Sequence, residues 1–218
     1  MNQFSRRNWW IPLFAAKALM AAPDTFGVAT GQLGETAWEF VATANQDGGD
    51  FSVNGYLTAI GGLPEAVLFT DPVTRSQATA RFTVTASLQL VSRNVLGVMF
   101  VLDEAGTFTV SYSETASATA AAIASGSISV QSSIQVTTQF TSEESPGKGN
   151  FRATGELVRT ATQIFTLDGV PHEFGDASQA WLMTAAGAGT LTDPNAPVAQ
   201  IVLGGSVAVG PKRAVPRR

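Results

Sequence analysis

Phe82-Thr83-Val84-Thr85-Ala86-Ser87-Leu88-Gln89-Leu90 decides the fold. Phe82, Val84, Ala86, Leu88 and Leu90 fall at every second position, with Thr83, Thr85, Ser87 and Gln89 between them. Successive side chains of an extended chain point to opposite faces. This spacing therefore builds one apolar face and one hydroxyl-rich face, which no helix does. The stretch reads as a strand with its apolar side on a core.

The same period of two recurs on either side. Trp38, Phe40 and Ala42 alternate with Glu39 and Val41. Phe51, Val53, Gly55, Leu57 and Ala59 alternate with Ser52, Asn54, Tyr56 and Thr58. Asn45-Gln46-Asp47-Gly48-Gly49 lies between these runs, and Asp-Gly-Gly suits the positive φ angles of a hairpin turn. Gly61-Gly62-Leu63-Pro64 and Asp71-Pro72 break the chain before Phe82. After Leu90, Arg93-Asn94 reads as a turn, and Val95 to Leu102 as a strand apolar on both faces. Such a strand needs cover on both sides. An N-terminal arm would supply it, or a neighbouring subunit, making residues 95–102 a homo-oligomer contact. Asp103-Glu104-Ala105-Gly106 reads as a tight hairpin turn.

Further on, Phe108, Val110 and Tyr112 alternate with threonine and serine. Ala116 to Ser125 is Ala-rich, a helical turn or a loose crossover. Period two resumes at Ile128, Val130, Ile134, Val136 and Phe140, then again from Phe151 to about Phe165. Two last runs, Ala180 to Leu191 and Val198 to Val209, flank Thr192-Asp193-Pro194-Asn195. The count is about eight or nine strands, many of them longer than the usual strand of about 5–6 residues. Long strands joined by hairpins favour an all-β fold: a single closed antiparallel up-and-down barrel, which leaves no unpaired edge. An outer-membrane barrel also alternates, but its aromatic residues form girdles. Here Phe82, Phe100 and Phe151 sit mid-strand. The chain divides into residues 1–34, an N-terminal arm or export signal, residues 35–210, the barrel, and residues 211–218, a basic tail.

Composition narrows the function classes. The 218 residues are 44 % hydrophobic and 14 % charged, enough apolar material for a sizeable core. With no cysteine, disulfides, thiolate metal sites and cysteine nucleophiles are excluded. Between Asp24 and Gly210 six basic residues face all 17 acidic ones, a net −11. An acidic body of this kind repels phosphates, so no nucleic-acid partner is expected. No apolar stretch approaches the ~20 residues of a membrane-spanning helix, so an integral helical membrane protein is not expected either.

The N-terminus has two readings. Ser5-Arg6-Arg7-Asn8-Trp9-Trp10, the apolar stretch after it and Ala16-Lys17-Ala18 resemble a twin-arginine export signal. Alternatively Phe4, Trp9, Trp10, Phe14 and Phe26 form an aromatic arm that packs across a barrel mouth. The first implies export and the second is compatible with the cytoplasm.

Chemistry-bearing residues are few. His172 is the one histidine, with Asp168, Glu173 and Asp176 nearby, the residue types of a base and its orienting carboxylate. No Gly-x-Ser-x-Gly elbow accompanies them, and a turn histidine explains them as well. One histidine and no cysteine do not make a zinc or copper site, and Asn45, Asp47 and Asp50 lack calcium-loop spacing, so no metal is expected. No phosphate-binding glycine loop opens a helix, so no cofactor is expected. The informative charges lie inside strand patterns: Glu39, Arg81, Arg152, Glu156 and Arg159. Arg159 shares its parity with Phe151, Ala153 and Leu157 and is read as inward-pointing. The candidates for orienting or protonating a ligand are Glu39, Tyr112, Arg159 and His172. Those for shaping its pocket are Trp38, Tyr56, Phe82, Phe100 and Trp181.

From Thr36 to Gly210, strand length and order resemble the calycin-like and allene-oxide-cyclase-like barrels. That resemblance implies a barrel binding one small, largely apolar molecule, with cyclase or isomerase chemistry in some members. The competing reading is a non-catalytic exported or surface β protein acting through its outer face or an oligomer.

Overall fold

The computed structural model describes residues 25–116, 119–139, 141, 146–176, 178–193 and 198–212. The signal-like and aromatic-arm readings of the first 24 residues lie outside them, as do the tail residues from 213 on. The strands are β1 (Phe26–Val28), β2 (Thr36–Asp47), β3 (Asp50–Ile60), β4 (Phe82–Leu96), β5 (Met99–Tyr112) and β6 (Ala121–Thr138). They continue with β7 (Gly147–Thr162), β8 (Phe165–Leu167), β9 (Val170–Phe174), β10 (Gln179–Asp193) and β11 (Val198–Lys212). The one helical element among the described residues is a 3-10 turn at Glu65–Val67.

Eight strands close into an antiparallel barrel in the order β2-β3-β4-β5-β6-β7-β10-β11, and β11 pairs back onto β2. Neighbours in sequence are neighbours in the wall, apart from the β8–β9 hairpin inserted before β10. That hairpin and β1 form a separate three-stranded sheet, with β1 parallel to β9. It packs at the end of the barrel where β2 begins: the Gly175 amide donates to the Val28 carbonyl at 2.7 Å, and the Ala29 amide to Gly61 at 2.8 Å. Two turns at the opposite end are tight, at Gly48-Gly49 and Gly97-Val98. Gly48 (φ 62°) and Gly97 (φ 63°) take the left-handed conformation those turns need.

The alternation read from Phe82 to Leu90 is the wall itself. Phe82, Val84 and Leu88 are buried inside the barrel, and Thr85 and Gln89 face solvent. The outer wall carries Asn45, Ser52, Ser127, Ser129, Asn150, Arg152 and Thr154, all exposed. A barrel in lipid has the reverse arrangement, an apolar band outside and a polar lumen.

The structure corrects three local readings around the β4–β5 hairpin. Arg93-Asn94 is strand, and the chain turns at Gly97 instead. Val95 to Leu102 is therefore two arms of one hairpin, with Val95, Leu96, Val98 and Met99 exposed around its tip. Asp103-Glu104-Ala105-Gly106 is the middle of β5, paired on both sides to β4 and β6. A bulge at Val91, between the pairs Leu90↔Glu104 and Ser92↔Asp103, explains part of the misreading. One extra residue in a strand reverses which side chains face inward beyond it. Gly106 explains the rest. It serves close packing, since a Cβ there would lie 1.9 Å from the Ser87 carbonyl oxygen. Glycine in a barrel strand marks such a bend as readily as a turn. In the Ala-rich stretch, the chain becomes strand from Ala121.

Candidate functional site

The end of the barrel beneath the small sheet is filled with aromatic rings. Trp181 meets Trp38 at 5.9 Å, Phe174 at 5.6 Å and Phe108 at 6.2 Å between ring centroids. Tyr112 packs between Phe82 (4.9 Å) and Phe165 (5.0 Å). Offset and edge-on ring pairs of this kind add about 0.5–1.5 kcal/mol each beyond the area they bury.

The other end is open. A cavity of about 660 Å³ lies between the turn at Gly48, the β4–β5 hairpin at Arg93 and Phe100, and the ends of β6, β7, β10 and β11. Its wall is apolar at Leu90, Phe100, Leu102, Ile134, Phe151 and Ile201, and carries Arg93, Lys148 and Asp193 as its charges. The Arg93 guanidinium sits 4.9 Å over the Phe100 ring. Because of the Val91 bulge, Arg93 lines this cavity instead of pointing away from it.

Deeper in the barrel is a smaller chamber of about 70 Å³, which shares Phe151 and Ile201 with the open cavity. Its lining is aliphatic and aromatic, including Trp38, Phe40, Phe51 and Phe108, with one ionisable side chain, Glu104. Glu104 is 4 % exposed and Ser132 1 %. The Ser132 hydroxyl donates to Glu104 Oε1 at 3.0 Å. The two lie diagonally across β5 and β6, because Glu104 pairs with Val130 and Leu102 with Ser132. Burial pushes the Glu104 carboxyl up to about 7, against the Ser132 hydrogen bond, and the charge of Asp103 adds to the rise. Asp103 faces outward, where Ser92 (2.5 Å) and Gln131 (3.1 Å) donate to it and hold it below the usual carboxylate range. Two neighbouring carboxyl groups on one strand are thus driven apart by the side of the wall they face.

The candidates read from the sequence fall into four places. Trp38 lines the chamber and Phe100 the open cavity. Phe82 and Trp181, with Tyr112, belong to the aromatic packing at the closed end. Tyr56 lies outside the barrel, with its ring 6.0 Å from Phe69 of the 61–81 connection. Glu39 is exposed on the outer face of β2.

Arg159 does point inward, at the closed end. Its Nη1 donates to the Phe174 carbonyl, and its Nη2 lies 3.9 Å from Glu173, tying β7 to β9. Burial holds its basicity below the ordinary value, with Glu173 and Asp176 opposing. Burial also raises the Tyr112 phenol, with Arg81 pulling it back. His172 stacks on Phe165 at 5.6 Å within the small sheet. Of its sequence neighbours, Asp168 reaches Arg81 at 3.9 Å, and Asp176 accepts from Ser178 at 2.8 Å. Tyr112, Arg159 and His172 are therefore drawn toward one end of the barrel, while the chamber and the open cavity lie above them.

Glu104 and Ser132 escaped the sequence reading. The available signal was parity: Leu102, Glu104, Phe108, Val110 and Tyr112 share one face once β5 is taken as a single strand. Comparison with protein families, curated proteins and solved structures finds no match for this chain. The structure shows a closed eight-stranded antiparallel barrel, and no match supports the calycin-like or allene-oxide-cyclase-like resemblance in particular.

Proposed function

We propose that the barrel binds one small, largely apolar molecule, entering by the open end and reaching toward Glu104. The observation that carries this reading is the apolar cavity of about 660 Å³, continued by a chamber whose one ionisable group is buried. Ligand sites of roughly 300–1,000 Å³ with an apolar lining and a few polar groups are the usual form for small-molecule binding. Any proton transfer of the cyclase or isomerase type falls to Glu104. A carboxyl titrating at about 7 gives or takes a proton at neutral pH. Ser132 fixes its orientation.

The test is binding of a neutral lipophilic dye, Nile red, followed by fluorescence. One saturable site is expected, displaced by 1-octanol. Ala199 lines the open cavity, and Ala199→Trp fills it. That variant should lose at least about ten-fold in affinity, equivalent to 1.4 kcal/mol, while melting near the wild-type temperature. Absence of saturable binding to the wild type would remove the proposal.

A further inference from the structure

We propose that the molecule held in the barrel carries a single ammonium group, received in the chamber between Trp38, Phe40, Phe108, Phe151 and Glu104. This rests on the apolar-ligand reading and adds the charge the ligand bears. Three observations converge on it. First, Glu104 is 4 % exposed and no residue lining the chamber is basic, so the chamber itself supplies its charge no counter-ion. Its hydrogen-bond partner, Ser132, occupies Oε1 and leaves Oε2 to a ligand.

Second, the chamber is lined by tryptophan and phenylalanine rings. Aromatic faces attract cations through their quadrupole, tryptophan most strongly, and desolvation strengthens the attraction. A carboxylate set among aromatic rings is complementary to a compact organic cation. An anion would meet like charge there, and a neutral group would leave the carboxylate's charge without an offset. Third, the sizes match a head and a body. About 70 Å³ takes a small charged group, and about 660 Å³ takes the remainder.

The test compares octyltrimethylammonium with 1-octanol on the full chain, read by tryptophan fluorescence because Trp38 lines the chamber. The ammonium probe should bind at least about ten-fold more tightly. Glu104→Gln should bring its affinity down to that of octanol for the same variant. A second arm uses the wild type alone, so it stands even if Glu104→Gln does not fold. The quaternary probe does not titrate, and its affinity should rise several-fold between pH 6 and pH 8, as Glu104 loses its proton around 7.

Within the chamber no other lining residue titrates, and Asp103 acts from the outer side of the same strand. The charged residues lining the open end are Arg93, Lys148 and Asp193. Equal affinity for octanol and the ammonium probe, or a flat pH profile, overturns the inference and leaves the apolar-ligand reading standing. Failure of both probes to bind removes both.

Discussion

Glu104 places a carboxyl where the surrounding side chains have no charge to offer it. Its proton is held up to about 7 in the fold, against an ordinary value of 4.5. Below 4.5 both states are protonated. As pH rises from there, the unfolded chain releases the proton first and the folded one retains it, so stability falls until about 7 and then levels. At about 1.4 kcal/mol per pH unit, the loss approaches roughly 3 kcal/mol. Glu104→Gln removes this slope. Urea denaturation of both proteins at pH 4.5 and pH 8 should show the variant gaining on the wild type by about 2–3 kcal/mol at the higher pH. A constant difference between them would contradict the burial of this group. Arg159 gives a second expectation at this scale. Arg159→Met keeps the apolar stem but leaves the Phe174 carbonyl without its donor. Thermal melting should register a loss of about 1–3 kcal/mol.

At the scale of elements, the β4–β5 hairpin joins two different parts. Its base builds the barrel wall, with Gly106 against the Ser87 carbonyl. Its tip exposes Leu96 at 64 % and Val98 at 57 %. Substitutions should separate the two. Gly106→Ala forces a methyl group into backbone and should cost about 1–3 kcal/mol or more, measured by chemical denaturation. Leu96→Ser with Val98→Ser removes apolar groups that bury little, and should stay within about 0.5 kcal/mol of wild type per site. A large loss at the tip would mean that something covers it in solution. That would bring back the oligomer contact expected of residues 95–102.

The whole molecule depends on closure. β2 is the first barrel strand in the chain and β11 the last, and their ladder from Asp47↔Val198 to Thr36↔Ala208 completes the ring. Until β11 docks, β2 and β10 each present an unpaired edge, a template for association. A chain ending at Asp193 should therefore fail to give a soluble monomer on size-exclusion chromatography. The long loop closed by this pairing also places refolding of the intact chain in the millisecond-to-second range, checked by stopped-flow fluorescence.

Alternation along Trp38–Ala42, Phe51–Ala59 and Phe82–Leu90 was legible from residues alone, because side-chain direction in a strand is a local property. The same property made the barrel legible, since long alternating strands joined by hairpins have few ways to hide their edges. The inward direction of Arg159 followed from parity in the same way. What the tertiary structure alone decided was everything that depends on pairing across strands. The bulge at Val91, the packing role of Gly106, and hence the inward place of Glu104 are set by β4 and β6 pressing on β5. Asp-Glu-Ala-Gly has the residues of a turn, and neighbouring strands hold it straight. A buried carboxyl is defined by what surrounds it, and those surroundings come from seven other strands of the wall.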